Sequence, residues 1–121
     1  MMTSLEVEQI IRSGENAQVE FKEASNGLPQ SFYETAVSFS NTDGGIVLLG
    51  VDDNGGVIGI DSDWCARLQK DIVSTLNSED CVYPSIYVQP FIVNLQEGNV
   101  LVCQIPASSQ IHRYKNDRYV R

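Results

Sequence analysis

The chain has 121 residues, 42% of them hydrophobic and 20% charged, with a formal net charge of −8. These proportions describe one soluble globular domain with a core large enough to stand without staples. No apolar run reaches the roughly 20 residues that cross a bilayer, and the start MMTSLEVEQI lacks the basic leader of a secretory signal, so the expected location is the cytoplasm. Cys65, Cys81 and Cys103 are odd in number, far apart and without a CxxC pair, a pattern of reduced thiols rather than of disulfides or a zinc site.

In chain order, Thr3-Ser4-Leu5-Glu6 has the form of a capping box. Leu5, Val7, Ile10 and Ile11 then make a helical stripe that Gly14 closes. From Gln18 to Lys22 the residues alternate, Val19 and Phe21 one way and Glu20 and Lys22 the other, as in a half-buried strand. Asn26-Gly27-Leu28-Pro29 opens a second helix with Phe32, Ala36 and Phe39 on its apolar face. Gly44 and Gly45 then supply the backbone freedom to reverse into a strand. Ile46 to Val51 is apolar throughout, which suits a strand covered on both faces. It ends at Asp52 and Asp53, and the pair Asn54-Gly55 signals a tight turn back into Val57–Ile60.

A third helix, capped by Asp61, Ser62 or Asp63, carries Trp64, Leu68, Ile72 and Leu76 at intervals of four, which places Trp64 in the core. Ile86–Leu95 and Val100–Ile105 form a hairpin in which Pro90 belongs at an edge or bulge, since it cannot donate to a ladder. A closing hairpin joins Ile111–Tyr114 to Arg118–Arg121 around Lys115-Asn116-Asp117, with His112 at the surface. The expected architecture is a single α+β domain: three helices and a mostly antiparallel mixed sheet of six or seven strands.

The charge is unevenly placed. Residues 1–112 hold four bases against fifteen acids, −11, while the last nine residues hold Arg113, Lys115, Arg118 and Arg121. An acidic body with a basic closing segment implies an anionic partner met at one edge, or the N-terminal part of a longer protein. Arg113, Lys115, Arg118 and Arg121, interleaved with Tyr114 and Tyr119, have the composition that grips phosphates and stacks on bases. The plainer reading is a charged edge strand that resists aggregation. Neither glycine turn fits a nucleotide-binding loop, and the first runs from helix to strand, the wrong order for one.

Three blocks fall in a characteristic order: Glu15 followed by Val19-Glu20-Phe21-Lys22, then Ala36-Val37-Ser38-Phe39-Ser40-Asn41-Thr42 with Gly44-Gly45, then Leu49-Gly50-Val51-Asp52-Asp53 with Gly55. Weaker echoes follow in Val57 with Gly59 and in Arg118-Tyr119-Val120-Arg121. Over residues 13–121 the chain resembles the Schlafen-type AlbA domain, found at the N-terminus of bacterial transcriptional regulators and RecG-related helicase-like proteins. The resemblance implies nucleic-acid (DNA) binding; the acidic body is expected to dock onto a downstream domain or a second copy, and no membrane partner is expected. It also implies an alternative from the animal Schlafens, RNA cleavage at Glu15, Glu20 and Asp53. Three carboxylates of this kind would take magnesium or manganese through hard oxygen ligands. Against that stands a plain structural reading: Glu20 pairs with Lys22, Asp53 caps the turn and Glu15 is solvated. A third reading is a protein-interaction module without nucleic acid.

Overall fold

A computed structural model describes residues 1–25 and 27–120. Among these residues three helices and seven strands run in the order α1 (Ser4–Ser13), β1 (Val19–Lys22), α2 (Ser31–Ser40), β2 (Gly45–Leu49), α3 (Ser62–Leu76), β3 (Val82–Tyr83), β4 (Phe91–Asn94), β5 (Asn99–Ile105), β6 (Arg113–Tyr114) and β7 (Asp117–Arg118). The fold is α+β, as the sequence leads one to expect, but the strands divide between two sheets. Four strands lie in the order β1-β2-β5-β4 and three in the order β3-β6-β7. β1 and β2 are parallel, and all other neighbours are antiparallel. A parallel pair needs a long crossover, which α2 provides.

Strand alternation builds a core on each face of the larger sheet. Val47 and Leu49 of β2, with Leu101, Cys103 and Ile105 of β5, meet Phe32, Ala36 and Phe39 of α2 and Cys65, Leu68, Ile72 and Leu76 of α3. Leu48, Val100 and Val102 point the other way, onto Phe21, Phe91, Val93 and Val7 of α1. β2 is therefore covered on both sides, as its unbroken apolar run requires. Burying each of the larger side chains contributes about 1.5–3 kcal/mol. The three cysteines are free, and burial pushes the Cys103 thiol up to about 12, so it stays protonated and inert.

α1 starts where the sequence says it should. Thr3 Oγ1 accepts from the Glu6 N–H at 3.2 Å, and Glu6 Oε1 accepts from the Thr3 N–H at 3.0 Å. The bond from the Thr3 N–H, made to the charged form, holds the Glu6 carboxyl below its ordinary range. Thr3→Ala removes the cap and is expected to cost about 1 kcal/mol, measurable by chemical denaturation. At the other end the Gly14 N–H bonds the Ile10 and Ile11 carbonyls with φ at +86°.

Several elements differ from expectation for identifiable reasons. α2 begins at Ser31 rather than near Pro29, and Asn26 lies outside the described residues. Val57–Ile60 forms no strand: a single bridge joins Val51 to Val57, after which the Gly50 carbonyl accepts from both Ile58 and Gly59. Pro90 keeps the segment before it out of the ladder, so β4 starts at Phe91 instead of Ile86. Trp64 is 46% exposed, not core; Cys65 takes the buried position on α3, and Arg67 lies over the Trp64 ring at 5.0 Å. His112 is also corrected: it is 3% exposed, with Nδ1 2.5 Å from the Pro84 carbonyl oxygen. No helix among the described residues is long and apolar enough to cross a membrane.

Candidate nucleic-acid interface

The basic closing segment is a short hairpin. Tyr114 is paired with Asp117 and Arg113 with Arg118, and Lys115 and Asn116 form the turn with φ of 51° and 70°. Positive φ at both central residues is the twist-matched turn for a two-residue loop. The hairpin joins β3 through Val82↔Tyr114 and Tyr83↔Arg113. Alternation then sorts the side chains. Tyr114 points inward, 5% exposed, and stacks on Tyr33 at 5.5 Å, while Arg113, Lys115 and Arg118 are exposed. Tyr119 is half-buried and its ring lies 6.5 Å from that of Tyr114. Partial desolvation, with the nearby carboxylates of Glu34 and Asp117, raises the Tyr119 hydroxyl above its ordinary range. Arg121, the fourth cation expected here, lies outside the described residues.

One side chain moors this hairpin. Asn41, at the end of α2, accepts from the His112 N–H through Oδ1 at 2.7 Å. Its Nδ2 donates to the carbonyls of His112 and Tyr119, each at 2.9 Å. The amide acts here as a piece of backbone, closing a ladder that the helix end cannot supply itself. Thr42 Oγ1 turns back onto the Ser38 carbonyl at 2.8 Å, and Gly44 makes the reversal into β2. The Asn41-Thr42 and Gly44-Gly45 block thus positions the cations, although sequence reasoning gave Asn41 no role.

Among the described residues the ion pair is Lys22 Nζ to Glu20 Oε2, at 2.8 Å. Arg113, Lys115 and Arg118 therefore make no ion pair with an acid among the described residues. Lys115 Nζ lies 5.4 Å from the Tyr114 ring centroid.

The acidic residues have separate surroundings. Glu20 Oε2 meets Lys22 and also accepts from Thr35 Oγ1 of α2 at 2.9 Å, while Lys22 Nζ donates to Ser31 at 3.1 Å. This polar set ties the edge strand β1 to the crossover helix. Glu15 is exposed, yet its Oε2 accepts from the Phe21 N–H at 2.9 Å. Asp53 is exposed in the loop after β2, and the turn is capped by Asp52, whose Oδ1 accepts from Asn54 at 2.9 Å and Gly56 at 2.7 Å. No three His, Cys, Asp or Glu side chains gather closely enough among the described residues to hold a metal ion. Glu15, Glu20 and Asp53 thus form no such cluster among the described residues. Beside Thr35, a groove of about 480 Å³ runs between Asn16, Glu34 and Ser38 on one side and Tyr119 and Val120 on the other.

Fold and surface together define a small α+β domain whose acidic body is closed by a moored cationic ribbon. The chain belongs to the Schlafen, AlbA_2 family, whose model matches residues 15–121. It is similar to the solution structure of the N-terminal domain of a RecG-related protein from Nitrosomonas europaea, at 23% identity and a TM-score of 0.74, covering 100% of this chain and 89% of that one. It is also similar to the crystal structure of the DIP2311 protein from Corynebacterium diphtheriae, at 21% identity and a TM-score of 0.62. There the match covers 97% of this chain and 27% of that one, so this chain spans about a quarter of that protein. Comparison with curated proteins gives no match.

Proposed function

We propose that the β6–β7 ribbon is the phosphate-contacting edge of a nucleic-acid-binding domain, of the kind carried by transcriptional regulators and RecG-related proteins. The observation that carries this reading is the exposure of Arg113, Lys115 and Arg118, free of ion pairs among the described residues, on a chain whose net charge is −8. The acidic remainder repels a polyanion elsewhere, so approach is confined to this edge. Family membership supports the reading, as does similarity to a domain of a protein named for its relation to a DNA helicase.

Each phosphate contact contributes about 0.7–0.9 to the slope of log affinity against log salt, so three cations predict a slope of roughly −2 to −3. A salt series with labelled DNA and RNA checks this. Replacing Arg113, Lys115 and Arg118 together by Gln is expected to flatten the slope and abolish binding at physiological salt. Absence of salt-sensitive binding to any DNA or RNA in the wild-type chain removes the proposal.

A further inference from the structure

The outer face of the small sheet carries a second chemistry beside its charge. Tyr83 on β3 stands directly opposite Arg113 on β6, and Arg113 stands directly opposite Arg118 on β7. Opposed residues of antiparallel pairs share a face, with Cβ atoms about 4.5–5.5 Å apart. A phenol ring and two guanidinium groups therefore form one row across three strands, spanning about 10 Å at the usual strand spacing. Burial agrees: Val82 and Tyr114, in the neighbouring row, are buried, whereas Tyr83 is 60% exposed and both arginines are exposed. Tyr83, Pro84, Gln110, Ile111 and Arg113 line a groove of about 500 Å³ beside the row.

Nothing in the fold requires this row. Like charges directly opposite one another cost stability, and neither arginine is in an ion pair among the described residues. A Tyr ring left in water contributes little to the core. An aromatic face next to two unneutralised cations is, however, the combination that reads an unpaired base together with its phosphate.

We propose that the Tyr83–Arg113–Arg118 row is a platform for single-stranded nucleic acid. One base stacks on Tyr83, the adjoining phosphate lies between Arg113 and Arg118, and the groove beside Ile111 receives the next base. The inference rests on the phosphate-binding reading of the ribbon and narrows it. In a duplex the base faces are occupied by their neighbours and none is free for Tyr83, whereas a single strand presents them.

The test measures fluorescence anisotropy of labelled dT12, rU12 and a mixed-sequence 12-base-pair DNA duplex, titrated with the full chain across a salt series. The single strands are expected to bind at least tenfold tighter than the duplex, with dT12 against rU12 separating DNA from RNA as the source. Tyr83→Leu is expected to weaken single-strand binding by about tenfold, within the range alanine substitution gives for one stacked base, while leaving the salt slope unchanged. Tyr83→Phe keeps the ring and is expected to stay within twofold of wild type. Arg118→Gln is expected to lower the slope by about 0.7, the share of one phosphate contact on a single strand. Salt-sensitive binding in which the duplex matches the single strands, or in which a folded Tyr83→Leu stays within twofold of wild type, overturns the platform and leaves the phosphate reading standing. No salt-sensitive binding of any oligonucleotide to the wild-type chain removes both. Should Tyr83→Leu fail to fold, the wild-type ratio of single strand to duplex decides the matter on its own.

Discussion

Gly44→Ala is expected to destabilise the domain by about 3 kcal/mol or more, a large share of the stability of any small domain. Gly44 lies where α2 turns into β2, with φ at +77°, and a Cβ there would sit 2.8 Å from the Ile105 carbonyl oxygen and 2.9 Å from the Ala107 nitrogen. Both obstacles are backbone, so no rotamer change relieves them. The left-handed conformation alone costs an L-residue about 1–2 kcal/mol, and overpacking adds about 1–3 kcal/mol. Gly14→Ala is the internal control: its φ is +86°, yet a Cβ would meet nothing within 4 Å. Urea unfolding of the two variants separates the terms. Equal losses at the two positions would mean that the contact with the end of β5 relaxes freely.

Asn41→Ala is expected to cost about 3 kcal/mol, from three hydrogen bonds worth about 1 kcal/mol each. Its effect should be concentrated in the ribbon, since Asn41 bonds the backbone of His112 and Tyr119 and so holds the hairpin at both flanks. Amide exchange at Tyr114 and Lys115 should accelerate well beyond that at Leu48 in the central strand. Asn41→Asp is the sharper variant, because its carboxylate would face two carbonyl oxygens where the amide now donates. Oligonucleotide binding should weaken in both, with every Arg and Lys still present. Unchanged ribbon protection in Asn41→Ala would show that β3 pairing holds the hairpin without the amide.

Much of this organisation is legible in the residues because it is local. The capping box at Thr3, the alternation along Val19–Lys22 and the double-faced run of β2 each follow from period and turn chemistry. The Glu20–Lys22 pair follows from the same alternation, since both residues face α2. Trp64 misleads for a geometric reason. Steps of four advance about 40° beyond a full turn, so three of them carry Trp64 about 120° away from Leu76. Eleven residues make almost three whole turns, which places Cys65 above Leu76 instead. His112 could have been read correctly: the alternation that turns Tyr114 inward turns His112 inward as well.

What could not be read is what pairs at long range. The row Tyr83–Arg113–Arg118 joins segments thirty residues apart through strands of two residues each, too short for any periodicity to register. Asn41 is visible in its block, but its partners lie 71 and 78 residues away. The division into two sheets has the same origin, since the strands of the small one are specified by what they cap rather than by their own pattern.

The ribbon proposed as a grip is also a lid. Its inward residue, Tyr114, closes the apolar layer over Tyr33 and Val82, while its outward neighbours carry the charge. Trimming the C-terminus would therefore uncork the interior at the same moment that it erased the cations, and lost binding in a shortened chain would report collapse as readily as recognition. Charge-neutral replacements that leave Tyr114 seated keep the two roles apart.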